Sequence, residues 1–103
     1  MYWVETIVCS SKSGVNARLL RLLNARQEFK RRQDGCVAAW VGKAPENGDM
    51  LLVQSIFNNA HAWKRISDLV KETLDADDGG IETLLLGPPL VGVFEIDESH
   101  FSK

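Results

Sequence analysis

One stretch of the chain limits its possible folds more than any other: the apolar run at 50–57 leads almost directly into an amphipathic helical pattern. The run MLLVQSIF is apolar at both alternating sets of positions, so a strand formed from it needs cover on both faces. In the next stretch, Trp63, Ile66, Val70 and Leu74 recur at helical spacing. The chain has too little helix to cover both faces of a sheet, which predicts that a second subunit covers one of them.

Similar patterns along the 103 residues predict a single α+β domain, 1–103, with its core at about 2–97 and a polar tail at 98–103. The predicted strands are 3–9, 36–42, 50–57 and 90–96, and the predicted helices are 15–32 and 59–74. Ser13 is the expected N-cap of the first helix, and Asn58 or Asn59 that of the second. The acidic stretch at 75–80 is expected to be a solvated loop. Residues 81–86 fit either a short helical turn or an extended segment.

The element order β-α-β-β-α-β is that of a ferredoxin-like fold with a four-stranded antiparallel sheet. Its usual strand order is 4-1-3-2, and right-handed crossovers place both helices on one face of the sheet. Strict alternation leaves a second apolar face, with Met50, Leu52 and Ile56 on the third strand. It also places Cys36 on the face opposite Ala39. Because two such sheets can pack face to face, the sequence predicts a homodimer.

Charge is unevenly distributed along the chain. Residues 1–34 carry seven Lys and Arg against three acidic residues, whereas residues 35–103 carry five against eleven. Most of the basic excess lies on the first predicted helix, at Arg18, Arg21, Arg26, Lys30, Arg31 and Arg32. This pattern fits an anion or nucleic-acid patch or a solvated helix face. The acidic pI of about 5.6 and the lack of interleaved aromatics favour the solvated face, so nucleic acid is not an expected partner.

The sequence contains no recognisable export or membrane signal. The first residues, MYWVETIVC, lack a basic leader and a long apolar run. The longest apolar run, 84–94, is interrupted by Pro88 and Pro89 and is too short to span a bilayer. We therefore predict a cytoplasmic protein without a membrane partner, whose Cys9 and Cys36 are reduced thiols about one strand length apart.

Two blocks of the chain resemble a known family. The block GCVAAWVGKAPENGDMLLVQSIFNNAHAW at 35–63 is similar to the middle of antibiotic biosynthesis monooxygenase-like domains. Those domains share a Gly-Cys or Gly-aromatic start, a short turn with Asp, Asn or Pro, a strand that ends in an aromatic residue, and an Ala-aromatic helix start. LLLGPPLVGVFEI at 84–96 resembles their closing strand. The resemblance covers about residues 2–97 and implies a dimeric α/β barrel.

The resemblance leaves three functions open. They are a cofactor-independent monooxygenase acting on a small planar aromatic or quinol substrate, a non-catalytic dimeric small-molecule-binding or regulatory module, and a haem-binding protein. Haem-degrading members use an Asn on the first strand and a Trp and a His on or near the second helix. Here the first strand has no Asn, Ile66 occupies the position of the Trp, and no His follows His61 in the helix. Haem is therefore disfavoured, and no cofactor is predicted.

The sequence does not predict a metal site. Its two histidines and two cysteines lie apart, without the spacing of a metal-ligand set. The aspartates at 75, 77 and 78 lack the full pattern of a calcium loop.

The predicted topology places several candidate site residues at one end of the domain. The ligand-binding candidates there are Trp3, Cys36, Phe57 and Trp63. The aromatic rings of Trp3, Phe57 and Trp63 can stack on a planar ligand. The catalytic candidates are Asn59, as a hydrogen-bond donor to a carbonyl or phenolate oxygen, and His61, as a general base near neutral pH. The alternative is that the aromatic residues belong to the core, that Asn59 is a helix cap, and that His61 lies on the surface.

Overall fold

The computed structural model describes residues 1–100. Its four strands are β1 (Tyr2–Ser10), β2 (Cys36–Lys43), β3 (Met50–Phe57) and β4 (Leu90–Ile96). They form one sheet in the order β2-β3-β1-β4, with every neighbouring pair antiparallel. This confirms the ferredoxin-like α+β fold and the predicted order of its strands.

Helix α1 (Asn16–Arg31) turns a mixed face toward the sheet. Its buried residues are Leu19, Leu23, Arg26, Gln27 and Lys30. These positions follow one helical stripe, in which apolar residues occupy the first half and polar residues the second. The prediction that Arg26 and Lys30 lie on a solvated face is therefore wrong, because both side chains point inward to partners on other elements.

The start of α1 also differs from the prediction. The residue before the helix is Val15, and it makes no side-chain cap hydrogen bond, so Ser13 is not the N-cap. Gly14, at a φ of +83°, turns the chain just before the helix. The Asn16 side chain then donates hydrogen bonds to Ser11 Oγ at 3.2 Å and to the carbonyl oxygen of Gly48 at 3.0 Å. These bonds tie the start of α1 to the loop before it and to the β2–β3 turn.

Helix α2 (Ala60–Val70) is capped by Asn59, whose Oδ1 accepts a hydrogen bond from the Ala62 amide at 2.9 Å. The helix continues through a π-helical turn at Lys71–Asp75 and a last α-helical turn at Ala76–Asp78. It ends at Gly79, whose φ is +81°. The expected solvated loop at 75–80 is thus mostly helical.

Residues 81–86 combine the two conformations that the sequence left open. Glu82–Leu84 form a 3₁₀ turn, and Leu85 is extended. Leu84 and Leu85 are buried against a core built from β1, β3 and α1. That core consists of Cys9, Leu19, Leu23, Leu51, Val53, Leu84 and Leu85.

A β-bulge near the start of β2 changes which face Cys36 occupies. Cys36 pairs with Phe57, and Ala38 pairs with the adjacent residue, Ile56, so Val37 is the extra residue. Cys36 therefore lies on the helix-covered face with Ala39 and Phe57. The strict alternation predicted for β2 is wrong at this residue.

The sheet face opposite the helices carries exposed apolar side chains on three strands. They are Trp40 on β2, Met50 on β3, and Leu90 and Phe94 on β4. We call these four residues the open-face patch. Between them, Gln54 donates a hydrogen bond to Thr6 Oγ1 at 3.2 Å, so the polar groups in the middle of the face are paired with each other.

Among residues 1–100, no helix has both the length and the apolar character needed to cross a membrane.

Candidate functional site

The four predicted ligand-binding residues come together at one end of the domain, as the topology required. On β3, Phe57 pairs with Trp3 of β1 and with Cys36 of β2. The rings of Trp3 and Trp63 lie 5.7 Å apart at an interplanar angle of 40°. All four pack with Ala62 and Ile66 of α2, and Phe57 is fully buried. We call Trp3, Cys36, Phe57 and Trp63 the aromatic cluster.

A polar network begins at the edge of the aromatic cluster. Trp63 Nε1 donates a hydrogen bond to Glu5 Oε2 at 3.0 Å. The other carboxylate oxygen, Glu5 Oε1, lies 3.6 Å from Lys30 Nζ. Lys30 in turn donates to Ser55 Oγ at 3.2 Å. The network therefore joins β1, β3, α1 and α2 on the helix-covered face of the sheet.

Lys30 is the chemically unusual member of this network, because it is only 7% exposed. Burial disfavours its charged form and lowers its pKa, while the Glu5 carboxylate acts in the opposite direction. The net effect is a lysine whose pKa lies below its ordinary value. Such an ammonium binds an oxygen anion strongly, because little water competes for it.

Gln27 is more deeply buried still, at 1% exposure. Its Nε2 donates to the carbonyl oxygen of Gln54 at 2.8 Å and to Ser55 Oγ at 3.0 Å, and lies 3.3 Å from the carbonyl oxygen of Trp40. These acceptors fix the orientation of the amide. Within residues 1–100, its Oε1 is buried and accepts no hydrogen bond.

A second ion-pair group connects α1 to the end of α2. The Arg26 guanidinium lies 2.6 Å from Asp75 Oδ1 and 2.8 Å from Asp78 Oδ1, and it also donates to the carbonyl oxygen of Leu22. The hydrogen bond from Arg26 lowers the pKa of the Asp78 carboxyl. These contacts explain why the acidic stretch after α2 is ordered rather than a solvated loop.

A cavity of about 190 Å³ lies between these two polar groups. Its polar lining consists of Glu5, Arg26, Gln27, Lys30, Ser67, Lys71 and Asp75. Its apolar lining consists of Ile7, Leu23, Val53, Val70 and Ile81. We call it the helix–sheet cavity. Apolar walls with a few convergent polar groups are typical of small-molecule sites.

None of the six residues predicted from the sequence lines the helix–sheet cavity. The aromatic cluster lies beside it, linked through the bond from Trp63 to Glu5. Asn59 is exposed and its Oδ1 caps α2, while His61 is exposed in a surface groove on α2 beside Lys64 and Arg65. The roles of these residues in binding or catalysis stay predictions.

The two cysteines are free and lie far apart along the sheet. Cys9 pairs with Leu51 near the start of β3, whereas Cys36 pairs with Phe57 at its end. Burial raises the pKa of both thiols, which makes each a poor nucleophile at neutral pH. Across the described part of the chain, no three His, Cys, Asp or Glu side chains are grouped to hold a metal ion.

A larger groove, of about 480 Å³, runs along residues 81–89 at the surface. Its lining is formed by Ile81, Glu82, Leu85, Gly87, Pro88 and Pro89. Glu82 is the one titratable side chain among them, and no polar network converges there. We therefore place the candidate site in the smaller helix–sheet cavity.

The polar residues at the cavity wall were not predicted from the sequence as site residues. These are Glu5, Arg26, Gln27 and Lys30. For the three on α1, the sequence nevertheless carries a signal. Positions 19, 23, 26, 27 and 30 continue one helical stripe, so the polar residues lie in phase with the buried leucines. A polar residue in phase with a core face is an informative exception, because it needs a buried partner.

Comparison with known proteins identifies the fold. No protein-family model matches the chain, and no curated protein matches it in sequence. Among solved structures, Rv0793 from Mycobacterium tuberculosis is 18% identical, with a TM-score of 0.79 over 96% of this chain and 99% of that one. A proposed antibiotic biosynthesis monooxygenase from Deinococcus radiodurans is 18% identical, with a TM-score of 0.79 over 93% of each chain.

A third solved structure is a variant of SnoaB, a cofactor-independent oxygenase from Streptomyces nogalater. It is 13% identical to this chain, with a TM-score of 0.78 over 94% of each chain. At such identities these likenesses define the fold and not the activity. The chain therefore has the fold of the antibiotic biosynthesis monooxygenase-like proteins, as its resemblance to them implied.

Proposed function

We propose that this protein is a cofactor-independent monooxygenase that oxidises a small hydroxylated aromatic compound, such as a hydroquinone, in the helix–sheet cavity. The observation that carries the proposal is the buried pair of Lys30 and Glu5, 3.6 Å apart, at an otherwise largely apolar cavity. The fold is similar to that of SnoaB, which is named a cofactor-independent oxygenase.

The pair suits the chemistry that such a reaction needs. A hydroquinone must lose a proton before it can transfer electrons to O₂, and the Glu5 carboxylate is the acceptor at the cavity wall. The Lys30 ammonium then stabilises the phenolate oxygen, where negative charge develops. For the whole reaction, one hydroquinone and one O₂ give one hydroxyquinone and one water, and the substrate supplies all the electrons.

The cavity volume limits the size of the substrate. Small-molecule sites usually measure about 300–1,000 Å³, whereas this cavity measures about 190 Å³. An apolar cavity of about 150 Å³ can hold benzene. The cavity as it stands is therefore matched to compounds of one or two rings, and three-ring anthrones require it to widen.

Oxygen uptake tests the proposal. Purified protein is incubated with benzohydroquinones, naphthohydroquinones and anthrones. O₂ consumption is recorded and compared with the spontaneous rate for each compound without protein. We expect uptake with one- or two-ring hydroquinones, and loss of that uptake in the double variant Glu5→Gln/Lys30→Met. Lys12→Met is the matched control, because Lys12 is exposed and lies outside the cavity. A flat response across the whole panel contradicts the proposal.

A non-catalytic ligand-binding module is the second candidate, and one observation favours it. Arg26 and Lys30 are already paired with carboxylates of the same chain, so the network also serves to stabilise the fold. Hydroquinone binding without O₂ consumption would support this function over the first.

We further propose that the protein is a homodimer in which the open-face patch packs on a second copy of itself. Leu90 and Phe94 are 74% and 58% exposed, and several large apolar side chains exposed on one face of a sheet are typical of an interaction surface. A two-fold axis brings the same face of each copy together, as in a dimeric α/β barrel.

Light scattering coupled to size-exclusion chromatography tests the dimer. We expect Leu90→Asp to give a monomer or an insoluble protein. Leu86→Asp is the control, because Leu86 is 70% exposed but lies outside the patch, and this variant should remain dimeric. A soluble wild-type monomer at micromolar concentration contradicts the homodimer.

A further inference from the structure

We infer that Ser67 is a ligand-binding residue of the helix–sheet cavity, and that it selects aromatic compounds with two hydroxyl groups on opposite sides of the ring. This inference rests on the proposed function, because it specifies the substrate class for the same cavity. It is carried by the position of Ser67, which lines the cavity and whose hydroxyl has no hydrogen-bond partner among residues 1–100.

Ser67 is the polar wall residue that is most available to a ligand. Lys71 is exposed to solvent, whereas Ser67 is half-buried on α2. A serine in a helix often bonds back to the carbonyl oxygen four residues earlier, but Ser67 makes no such bond. Because its side chain is short, a serine that lines a cavity keeps its hydroxyl within reach of a molecule there. The other polar wall residues already have partners in the chain; they are Glu5, Arg26, Gln27, Lys30 and Asp75.

The position of Ser67 along α2 sets its distance from the Glu5 end of the cavity. Trp63 and Ser67 are four residues apart and therefore lie on the same face of the helix. Trp63 is bonded to Glu5 at 3.0 Å, and four residues advance a helix by about 6 Å. A ring with hydroxyl groups on opposite sides places its two oxygens at a comparable separation. Ser67 is thus placed to meet the second oxygen of a ligand whose first oxygen lies at Glu5.

Each end of the cavity can make one hydrogen bond to such a ligand. Each oxygen of the Glu5 carboxylate has two lone pairs, so Glu5 can accept from a ligand hydroxyl while it keeps its bond from Trp63. The Ser67 hydroxyl can donate to the second ligand oxygen or accept from it. The adjacent hydroxyl groups of a 1,2-diol cannot reach both ends, and the cavity of about 190 Å³ leaves a ring little room to shift.

Anaerobic binding of two isomers tests this inference separately from the oxygenase activity. The probes are hydroquinone, the 1,4-diol of benzene, and catechol, the 1,2-diol, which has the same composition and a similar size. Titration of ¹⁵N-labelled protein followed by NMR gives both affinities and shows which amides respond. For the wild-type protein we expect hydroquinone to bind about fivefold more tightly than catechol, since it makes one more hydrogen bond, and we expect it to shift the Ser67 amide signal.

The variant Ser67→Ala isolates the contribution of the hydroxyl. Alanine is the best helix former, so α2 should keep its structure. The affinity for hydroquinone should fall about fivefold, whereas the affinity for catechol should change by less than about twofold. Ser13→Ala is the matched control, because Ser13 is exposed and lies outside the cavity, and it should leave both affinities unchanged.

The outcomes also separate the two proposals. Equal binding of the two isomers to the wild-type protein, or an equal response of both to Ser67→Ala, overturns the role of Ser67 while leaving the cavity as a site. If Ser67→Ala fails to fold, the wild-type comparison still decides the matter. Binding of neither isomer, nor of any larger hydroquinone, overturns the site and with it the proposed function.

Discussion

The pairing of Glu5 with Lys30 can be measured by a double-mutant cycle of Glu5→Gln, Lys30→Met and the two together. At 3.6 Å and an effective dielectric constant of about 20, two unit charges attract by about 4.6 kcal/mol. Removing one partner leaves the other charge buried without a counter-charge, which typically lowers the unfolding free energy by about 3–5 kcal/mol. Removing both leaves a neutral pair, and Gln can still accept the hydrogen bond from Trp63.

We therefore expect each single variant to lose about 3 kcal/mol of unfolding free energy and the double variant only about 1 kcal/mol. The resulting coupling energy is about 5 kcal/mol, close to the Coulomb value. A single domain is typically stable by about 5–15 kcal/mol, so the single variants should remain folded.

Urea unfolding, followed by tryptophan fluorescence and circular dichroism, measures these energies. All proteins are compared at one concentration, because stability depends on concentration if the protein is a dimer. Lys12→Met is the surface control and should change stability by less than about 0.5 kcal/mol. If the double variant loses as much unfolding free energy as the two single variants together, the two residues are not coupled. That result would refute the ion pair as the organising feature of the cavity.

Three further predictions concern the elements that surround the cavity. Arg26→Met should lower the unfolding free energy by about 2–3 kcal/mol in urea titrations, because it removes both aspartate contacts of a buried guanidinium, whereas the exposed Arg21→Met should change it by less than about 0.5 kcal/mol. In the folded protein the pKa of Asp78 lies below its ordinary value of 3.8. The Asp78 carboxylate therefore contributes fully to stability above pH 3.8, and this contribution is lost as the pH falls through the pKa of the folded state. The stability advantage of the wild-type protein over Asp78→Asn should therefore shrink on acidification, and an advantage that does not change with pH would contradict this pairing. Gly35→Ala should lower the unfolding free energy by at least about 1 kcal/mol, because Gly35 has a φ of +99° and an added Cβ would lie 2.8 Å from Ala62 Cβ. An unchanged midpoint of thermal unfolding would contradict that close approach.

The sequence predicted the architecture because its signals are local. Short apolar runs, the Pro-Glu-Asn-Gly turn and the Asn59 cap each specify a few neighbouring residues. Together they leave one plausible order of strands and one face for the helices. The aromatic cluster followed from the same topology, because strand direction alone places Trp3, Cys36 and Phe57 at one end.

The polar site was harder to predict because its partners are distant in sequence. Arg26 lies on α1, yet its carboxylates are Asp75 and Asp78. Taken alone, a basic helix and an acidic Gly-rich stretch each resemble solvated surface, and only their contact makes one buried and the other helical. The face of Cys36 was likewise missed, because a bulge adds one residue without a sequence signal of its own.

The most direct test of the proposed function is the fate of molecular oxygen labelled with ¹⁸O. The protein is incubated with a two-ring hydroquinone under ¹⁸O₂, without added cofactor, and the product is analysed by mass spectrometry. The account predicts a hydroxyquinone that carries one ¹⁸O atom per molecule, formed by the wild-type protein and by Lys12→Met but not by Glu5→Gln/Lys30→Met. Product without the label, or the same labelled yield from the double variant, would contradict a monooxygenase reaction in the helix–sheet cavity.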